Sequence, residues 1–250
     1  MQERVALVTG ASGGLGAAIA SRLAAGATFV LLHYRVDSMK GAALERQIRD
    51  AGGRCAIVAG DIRTGAGIAA FLSEIDKALS ANGLEKLDVL VDNAGIGGFA
   101  TVEETSESMF DDICSTNLKG TFFLTQGALK RMRDGGRIVV TSSGASKRAS
   151  GPMAAYAMTK AALNTFVVYL AQEVGPRQIT CNALGVGPVE TAASAAFFGD
   201  ESRRRDILSH TALHRLATPD DIAKAVALFA SAESGWITGQ YVEVSGGYRL

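Results

Sequence analysis

Cysteine and histidine are scarce in this chain of 250 residues, and neither is arranged as a metal site or a disulfide framework. The three cysteines, Cys55, Cys114 and Cys181, are odd in number and widely separated, with no CxxC spacing. His210 and His214 lie four residues apart, but no cluster of carboxylates or cysteines completes a ligand set. We therefore predict no metal site and no structural disulfide, and we interpret the three histidines as packing or surface side chains.

The sequence also lacks an excess of charge of one sign and any long apolar run. Lysine plus arginine equals aspartate plus glutamate, at 25 each, so no global field attracts nucleic acid or an acidic membrane. No stretch is apolar for the thickness of a bilayer, and the first residues lack the basic and then apolar pattern of a signal peptide. These absences predict a cytoplasmic protein that binds neither nucleic acid nor membrane.

Prolines number only four, and no linker rich in proline and serine, internal repeat or low-complexity run divides the chain. Hydrophobic residues make up 48% of the sequence and charged residues 20%, which is enough apolar material for a sizeable core. The composition favours one compact domain spanning residues 1–250.

Short β-branched runs alternate with longer segments of helical period. Seven runs are predicted as strands, at Arg4 to Val8, Thr28 to Tyr34, Cys55 to Ala59, Leu87 to Val91, Arg137 to Thr141, Ile179 to Ala183 and Tyr241 to Val244. Helices are predicted at Gly14 to Ala25, Met39 to Ala51, Ala66 to Leu79, Met109 to Met132, Met153 to Val174 and Pro219 to Ala230. Several strands are apolar on both faces, which predicts a doubly wound α/β fold with a seven-stranded parallel sheet.

One stretch, Glu190 to Leu216, departs from this alternation. It contains Phe197 and Phe198 followed by three consecutive arginines, and it is predicted to extend over the edge of the sheet. A mobile lid over a substrate site and an ordinary surface insertion are both compatible with this composition.

A glycine-rich turn follows the first predicted strand and leads directly into a helix. Gly10, Gly14 and Gly16 permit a tight turn, a close approach of backbone N–H groups to a pyrophosphate, and close packing of the helix on the sheet. The helix N-terminus adds partial positive charge. This position in the fold predicts a dinucleotide site.

The second strand ends at Tyr34 and Arg35 rather than at a carboxylate. A carboxylate there would bind both ribose hydroxyls of NAD, whereas a guanidinium pairs with the 2′-phosphate of NADP. The sequence therefore favours NADP(H). NAD(H) is the alternative, because Asp37 lies only two residues further on and its side chain can turn inward.

Tyr156 and Lys160 are separated by four residues in a predicted helix, so they share one face. A phenol titrates near ~10, and a neighbouring ammonium favours its ionised form, which suits a tyrosine that exchanges a proton near neutral pH. The pair alone is a weak indication, and its meaning depends on the residues around it.

Taken in order, these features resemble the short-chain dehydrogenase/reductase family, in its single-domain type of about this length. The resemblance runs from Thr9 to Gly247 and implies a Rossmann-type fold. Ser143 precedes Tyr156 by thirteen residues, the family's usual interval. The matching elements after the glycine turn are Asp61, Asn93-Ala94-Gly95, Asn117, Ser143, Tyr156 and Lys160.

The resemblance implies a role for each catalytic residue. Tyr156 would donate a proton to a carbonyl oxygen as hydride arrives from the nicotinamide, and Ser143 would hydrogen-bond that oxygen. Ser142 is the alternative to Ser143 by one register step. Lys160 would bind the nicotinamide ribose and, in the oxidised complex, lower the pKa of Tyr156, while Asn117 would hold a water linking Lys160 to solvent.

The resemblance also implies the rest of the cofactor site. Asp61 would hold the adenine ring, and Gly187, Val189 and Thr191 would receive the nicotinamide carboxamide. The cofactor-binding residues predicted in this way are Gly10, Ser12, Gly14, Leu15, Gly16, Tyr34, Arg35, Asp61, Ile62, Asn93, Ala94, Gly95, Tyr156, Lys160, Gly187, Val189 and Thr191.

The chain departs from the family pattern in three places. Val186 replaces a common proline, which leaves the nicotinamide loop less constrained in φ. Ser245 replaces an aspartate that often precedes the final glycines, and Asp92 stands where asparagine is usual before Asn93. Because Asp92 brings charge into the interior, we expect an amide or an arginine beside it.

Substrate identity is expected to depend on Gly144 to Ala155 and on Ala192 to Leu216. Met153, Phe197 and Phe198 are either an apolar pocket wall or core packing. Lys147 and Arg148 either meet an acidic group such as phosphopantetheine or belong to a solvated loop.

The general character of the sequence most resembles 3-oxoacyl-acyl-carrier-protein reductases and related ketoreductases. A carrier protein could then dock on Lys130, Arg131 and Arg133, although cations at a helix C-terminus are also favoured by the helix dipole. Family resemblance further implies a homotetramer formed through the two long predicted helices and the segment near Trp236.

Three functions are compatible with these observations. The first is NADPH-dependent reduction of a carbonyl compound, either an acyl thioester or another ketone. The second is NAD-dependent oxidation of a sugar, polyol or steroid alcohol. The third, a nucleotide-sensing regulatory protein, would not need Asn117, Ser143, Tyr156 and Lys160 together, so the sequence favours an enzyme.

Overall fold

A computed structural model describes residues 3–192 and 194–250 of the chain, without the side chains of 196 and 197. Its strands form one parallel sheet of seven strands in the order β3-β2-β1-β4-β5-β6-β7. The strands are β1 (Arg4–Val8), β2 (Thr28–Tyr34), β3 (Cys55–Ala59), β4 (Leu87–Asp92), β5 (Met132–Ser143), β6 (Thr180–Val186) and β7 (Tyr241–Val244). The predicted doubly wound α/β fold is confirmed.

Helices connect the strands and cover both faces of the sheet. They are α1 (Gly14–Ala25), α2 (Ser38–Asp50), α3 (Gly65–Ala81), α4 (Glu107–Cys114), α5 (Thr121–Leu129), α6 (Ala154–Val174), α7 (Ala195–Phe198), α8 (Glu201–Ser209) and α9 (Pro219–Ala230). None of the helices in the described part of the chain has both the length and the apolarity needed to cross a membrane.

The predicted helix from Met109 to Met132 is wrong in two respects. A π-helical turn at Ser115–Gly120 separates α4 from α5, and Asn117 lies within this turn. The helix then ends at Leu129, and β5 begins at Met132 rather than at Arg137. Gly135, with φ of 76°, lies in this early part of the strand, where pairing with β4 shifts register. The polar, glycine-containing sequence there concealed the strand.

The core consists of two apolar layers, one on each face of the sheet. Alternate residues of β1 point to opposite faces, with Leu7 in the layer that includes α3, α5 and α6, and Val8 in the layer that includes α1, α2 and α9. Because all strands are parallel, their carboxyl ends meet at the same edge of the sheet. Most of the predicted site residues lie at those ends, and the others lie on the helical segments that pack beside them.

The stretch from 190 to 216 contains α7 and α8 and its own small apolar cluster. Phe198, Ile207 and Leu216 are buried together, with Leu208 and Tyr248 packed against them. Phe198 therefore packs within this cluster, which supports core packing over a pocket wall for this residue. The side chain of Phe197 lies outside the described part of the chain.

Candidate active site

The glycine turn between β1 and α1 leaves room for a ligand at a helix N-terminus. Gly10 has φ of +65°, which disfavours a side chain there, and a Cβ on Gly16 would lie 2.2 Å from the carbonyl oxygen of Gly10. Gly13 caps α1 without a side-chain hydrogen bond, and the first turn of the helix holds no acidic residue. The N–H groups there have no side-chain cap to satisfy them, so they suit an anion. Ser12 and Leu15 are half-buried in the same turn.

His33, near the end of β2, contacts this turn and was not among the predicted site residues. Its Nδ1 accepts a hydrogen bond from the Gly10 N–H at 3.1 Å, and its Nε2 lies 3.1 Å from the carbonyl oxygen of Gly60. The prediction that it is a packing histidine holds, but its hydrogen bonds were missed. Its position one residue before Tyr34 is the only sequence signal that could have indicated them.

The end of β2 places Arg35 and Asp37 in different environments. Arg35 is exposed, and its positive charge contributes to lowering the pKa of Asp61. Asp37 caps α2 by accepting a hydrogen bond from the Lys40 N–H at 2.9 Å, and it forms an ion pair with Lys40 at 2.9 Å. Its carboxylate therefore serves the helix rather than turning inward. The half-buried Tyr34 packs near Gly41 of α2, where a Cβ would lie 3.2 Å from its ring.

Asp61 and Ile62 follow β3, and their side chains point to different surroundings. The Asp61 carboxylate accepts hydrogen bonds from Arg63 at Nε, at 3.0 and 3.1 Å, and at Nη2, at 2.7 Å. These bonds lower the pKa of Asp61 to about 2. Ile62 is buried in the core, so any contact of Ile62 with a cofactor would use its backbone.

The loop after β4 is joined to the glycine turn through Thr9. The Thr9 hydroxyl accepts hydrogen bonds from the N–H groups of Asn93 and Ala94, both at 2.8 Å, and the Asn93 amide donates to the Thr9 carbonyl at 2.9 Å. The same hydroxyl donates to Asp92 Oδ1 at 2.9 Å. The ends of β1 and β4 are thus held together by one buried side chain.

The expectation of an amide or arginine beside Asp92 is wrong. Its carboxylate is approached instead by two hydroxyl groups, that of Thr9, which donates to Oδ1 at 2.9 Å, and that of Thr121. Burial raises the pKa of Asp92, against the influence of the Thr9 and Thr121 hydroxyls and of the positive charge of Lys160. The pattern of residues along β4 does not show which side chain of the neighbouring strand lies beside Asp92, so the hydrogen bond from Thr9 could not be predicted.

Asn117 bridges the loop after β4 and helix α6. It is fully buried, its Oδ1 accepts from the Ile96 N–H at 2.8 Å, and its Nδ2 donates to the Ile96 carbonyl at 2.9 Å and to the Thr159 hydroxyl at 3.3 Å. A Cβ placed on Gly95 would lie 3.2 Å from Asn117 Oδ1 and 3.5 Å from Lys160 Nζ. Gly95 therefore marks the point where Asn117 and Lys160 converge.

Lys160 is buried next to Tyr156. Its Nζ donates to the Thr141 carbonyl at 2.7 Å and lies 5.8 Å from the centre of the Tyr156 ring. Burial lowers the pKa of Lys160 to about 8, although Asp92 acts in the opposite direction. Burial raises the pKa of Tyr156, and a hydrogen bond with Ser143 opposes this shift. Without a bound cofactor, Ser143 rather than Lys160 is therefore the residue that lowers the pKa of Tyr156.

The two adjacent serines at the end of β5 have different partners. Ser142 is buried and donates to Asn164 Oδ1 at 2.6 Å and to the Lys160 carbonyl at 3.2 Å. Ser143 is half-buried and acts to lower the pKa of Tyr156, while its hydroxyl accepts from the Ala145 N–H at 3.2 Å. The geometry therefore favours Ser143 as the serine that faces the reaction site.

Three side chains that the sequence did not indicate fix the backbone of Ser143 through its carbonyl group. The Ser143 carbonyl accepts from the Ser146 hydroxyl at 2.6 Å and from the Tyr241 hydroxyl at 3.3 Å. Asn164, one turn beyond Lys160 on α6, donates to Ser146 at 2.9 Å. Strand β7 and helix α6 thereby fix the end of β5.

The loop after β6, where nicotinamide contacts are predicted, lies next to the first turn of α1. Thr191 Cβ is 3.7 Å from where a Cβ on Gly14 would lie. Ser194 donates to the Val189 carbonyl at 2.8 Å and lies 3.0 Å from the Thr191 hydroxyl.

The two departures at this loop fit the sheet. Val186, which replaces the family's proline, is the last residue of β6 and pairs with Ser143 and Val244 on either side. A Cβ on Gly187 would lie 2.6 Å from the Cα and Cβ of Ser245, so the segments after β6 and after β7 are in close contact. Strand pairing therefore constrains the start of the loop without a proline.

The basic residues considered for substrate or partner binding mostly contact the protein itself. Lys147 Nζ lies 4.2 Å from the centre of the Tyr241 ring, and Arg148 forms an ion pair with Glu243. Arg131 donates to both carboxylate oxygens of Asp76 at 2.7 and 2.6 Å, and Arg133 lies 3.8 Å from Asp88. Within the described residues, no group of three or more histidines, cysteines or carboxylates is placed to hold a metal ion.

Known proteins match this chain over nearly its full length. A family model described as enoyl-(acyl carrier protein) reductase matches residues 10–249. An uncharacterized oxidoreductase of Methylorubrum extorquens is 36% identical over 100% of this chain and 99% of its own length. A versicolorin reductase of Emericella nidulans is 31% identical, over 99% of this chain and 96% of its own. The crystal structure of the angucycline C-6 ketoreductase LanV with bound NADP is 34% identical and superposes with a TM-score of 0.93, covering 99% of this chain and 96% of that one.

Proposed function

Because the chain belongs to the short-chain dehydrogenase/reductase family, we propose that it is an NADPH-dependent ketoreductase in which Tyr156 protonates the carbonyl oxygen. The observation that carries this proposal is the convergence of Ser143, Tyr156 and Lys160 beside the glycine turn, with Lys160 Nζ 5.8 Å from the centre of the Tyr156 ring and Ser143 near enough to lower the pKa of Tyr156. A protein that only sensed the nucleotide would not need this arrangement.

The residues of the cofactor side fit NADPH. The N-terminus of α1 offers backbone N–H groups to the pyrophosphate, because no side chain caps it and Gly16 is in close contact with Gly10. Arg35 is exposed at the end of β2 for the 2′-phosphate, and Asp37 is engaged at α2, which removes the main argument for NAD(H). The ketoreductase LanV was crystallised with NADP, which supports the same preference. Asp61 would reach adenine only while sharing its carboxylate with Arg63.

The catalytic side chains are proposed to position a carbonyl group and supply its proton. When bound, NADPH would provide the hydride that reaches the carbonyl carbon. Burial raises the pKa of Tyr156, so the phenol is protonated at neutral pH and carries the proton that the oxygen needs. Ser143 would donate a hydrogen bond to the same oxygen as its negative charge develops. Lys160, with its pKa lowered to about 8, stays largely protonated at neutral pH and would hold the nicotinamide ribose.

The surroundings of the site favour a bulky, uncharged ketone over a carrier-bound thioester. Ala100 pairs with Met153, three residues before Tyr156, and this places the 60% exposed Phe99 beside the start of α6. Lys147 and Arg148, which would meet a phosphopantetheine phosphate, contact Tyr241 and Glu243 instead. Two proteins similar to this chain are an angucycline C-6 ketoreductase and a versicolorin reductase, and this similarity supports the proposed ketone substrate.

A homotetramer is also proposed, since apolar side chains are exposed on α5, on α6 and near β7. Phe122, Phe123 and Tyr169 are 45%, 42% and 66% exposed, and Trp236 is 98% exposed. Such side chains are characteristic of surfaces that another subunit covers. Size-exclusion chromatography with light scattering tests this, and a monomer would contradict it.

The proposed reaction can be tested with a screen that pairs cofactors with substrates. Consumption of NADPH and of NADH is followed with polycyclic ketones, β-ketoesters, acyl thioesters, and sugar or steroid alcohols in the reverse direction. We expect NADPH consumption with the ketones. Preference for NAD and an alcohol would favour the dehydrogenase alternative, and NADPH binding without any turnover would favour a regulatory nucleotide-binding protein.

A further inference from the structure

We propose that His33 is a positioning residue that links the two cofactor loops on either side of β2 and thereby sets the affinity for NADP(H). This inference rests on the proposed function, because it concerns the same cofactor site. His33 acts through the backbone of Gly10, in the glycine turn after β1, and through the backbone of Gly60, at the end of β3.

The location of His33 explains how one side chain reaches both loops. Strand β2 lies between β1 and β3, and His33 pairs with Val58 of β3 one residue before the end of β2. The ring is only 3% exposed, with Nδ1 at 3.1 Å from the Gly10 nitrogen and Nε2 at 3.1 Å from the Gly60 oxygen. Its two ring nitrogens thus join the exits of the two neighbouring strands.

The hydrogen bonds determine the tautomer of the ring. Because the Gly10 N–H donates to Nδ1, this nitrogen carries no proton, and the proton on Nε2 is the one donated to Gly60. Burial lowers the pKa of His33 to about 4, which keeps the ring neutral and Nδ1 free to accept. The ring also packs on Phe71, with centroids 4.4 Å apart.

Both linked residues lie where backbone position decides cofactor contacts. Gly10 has φ of +65° and begins the turn that would bind the pyrophosphate. Gly60 directly precedes Asp61, which is proposed to hold adenine, and a Cβ on Gly60 would lie 2.4 Å from the Phe71 ring. Without the imidazole, the Gly10 N–H would lose its buried acceptor and the turn would be free to shift. The two loops would then no longer be held at one fixed separation.

Three substitutions separate the two hydrogen bonds. His33→Leu removes both, His33→Asn keeps an acceptor near the Nδ1 position, and His33→Gln keeps a donor near the Nε2 position. Dissociation constants are measured by fluorescence titration for NADPH and for adenosine 2′,5′-bisphosphate, which lacks the pyrophosphate and the nicotinamide. We expect His33→Leu to weaken NADPH by about 10-fold or more, with kcat at saturating NADPH changed far less than KM.

The partial variants should respond differently to the two ligands. His33→Asn should recover much of the NADPH affinity, and His33→Gln should keep the affinity for the bisphosphate closer to that of the unaltered protein. Nitrogen-detected NMR of the unaltered protein without cofactor should find the proton on Nε2 of His33. A proton on Nδ1 would overturn the assigned hydrogen bonds.

Phe71→Leu provides the matched control, because it disturbs the packing of the same ring and leaves both hydrogen-bond partners in place. It should lower the melting temperature without a comparable change in NADPH affinity. If His33→Leu changed the melting temperature alone, the residue would be merely structural and the inference would be wrong. If the unaltered protein bound no NADPH, the proposed function itself would fail, and the NMR result would still test the geometry.

Discussion

The cofactor side and the substrate side of the site are held together by different kinds of contact. On the cofactor side, at the ends of β1 to β4, buried side chains bond backbone groups of neighbouring loops, as Thr9 does with Asn93. On the proposed substrate side, predicted from the sequence at residues 144–155 and 192–216, partly exposed side chains contact charged neighbours, as Arg148 does with Glu243. Removing a partner from a fully buried hydrogen bond to the backbone is costly, whereas an ion pair between partly exposed side chains contributes less.

This difference indicates which side of the molecule tolerates change. The cofactor side is proposed to position a dinucleotide of fixed structure, so its geometry has little freedom. The substrate side can exchange surface contacts without losing the fold. We therefore expect substitutions at the catalytic and cofactor residues to change activity or cofactor affinity strongly, and substitutions on the substrate side to change them little.

The largest effect is expected where the two sides meet, at Tyr156. Tyr156→Phe removes the proposed proton donor and should lower kcat by roughly 1,000-fold, within the usual range for a general acid. NADPH affinity should change by less than about 2-fold, because the substitution removes only the phenol hydroxyl and keeps the ring in place. Tyr169→Phe is the control, since Tyr169 lies on the same helix and is 66% exposed. Retention of more than about a tenth of the activity would exclude Tyr156 as the acid.

The next largest effect is expected in the glycine turn. Gly16→Ala would place a Cβ 2.2 Å from the Gly10 carbonyl oxygen, so the turn or the helix must move. The dissociation constant for NADPH should rise by about 100-fold, the upper end of an overpacking cost. Gly13→Ala is the matched control, because its Cβ would lie 3.5 Å from the same oxygen. Equal affinities for the two variants, with unchanged circular dichroism, would show that this close approach does not position the cofactor.

A smaller and more selective effect is expected at Arg35. Arg35→Ala should weaken NADPH by about 30-fold and NADH by less than 2-fold, because a charge-assisted hydrogen bond to the 2′-phosphate is lost. Arg46→Ala removes an exposed arginine from α2 and serves as the control for net charge. Equal losses for the two cofactors would reject the phosphate-binding role and reopen the question of NAD(H).

The same contrast explains what could be predicted from the sequence. β-Branched runs bounded by turns predicted β1, β2 and β3 with the observed bounds. The glycine turn and the order of polar residues at strand ends predicted which residues meet at one edge of the sheet. The π-helical turn around Asn117 was missed, because a helical period shows which residues face the core but not that an amide will bond the Ile96 backbone.

Contacts between strand ends were harder to predict than the residues themselves. Asp92 was recognised as an unusual charge, but its donor, Thr9, lies more than eighty residues earlier. His33 was assigned to packing, although its ring bonds Gly10 and Gly60 on two neighbouring strands. Such partners depend on sheet order and register, which residue patterns along one strand do not contain.

The smallest effect is expected on the substrate side, at Lys147 and Arg148. Lys147→Met and Arg148→Met keep the length of each side chain and remove its charge, and they should change KM for an uncharged ketone by less than about 3-fold, because such a ketone offers neither cation a charge to pair with. NADPH affinity should be unchanged, since neither residue contacts a cofactor loop in the described structure. Lys77→Met, which removes a remote pair with Glu74, is the control. A rise of about 10-fold in KM for an acyl thioester, with the ketone unaffected, would show that these cations bind an acidic carrier group. Loss of one hydrogen bond between charged groups weakens binding by about that factor. The substrate side would then be as specific as the cofactor side, and the ketone assignment would be wrong.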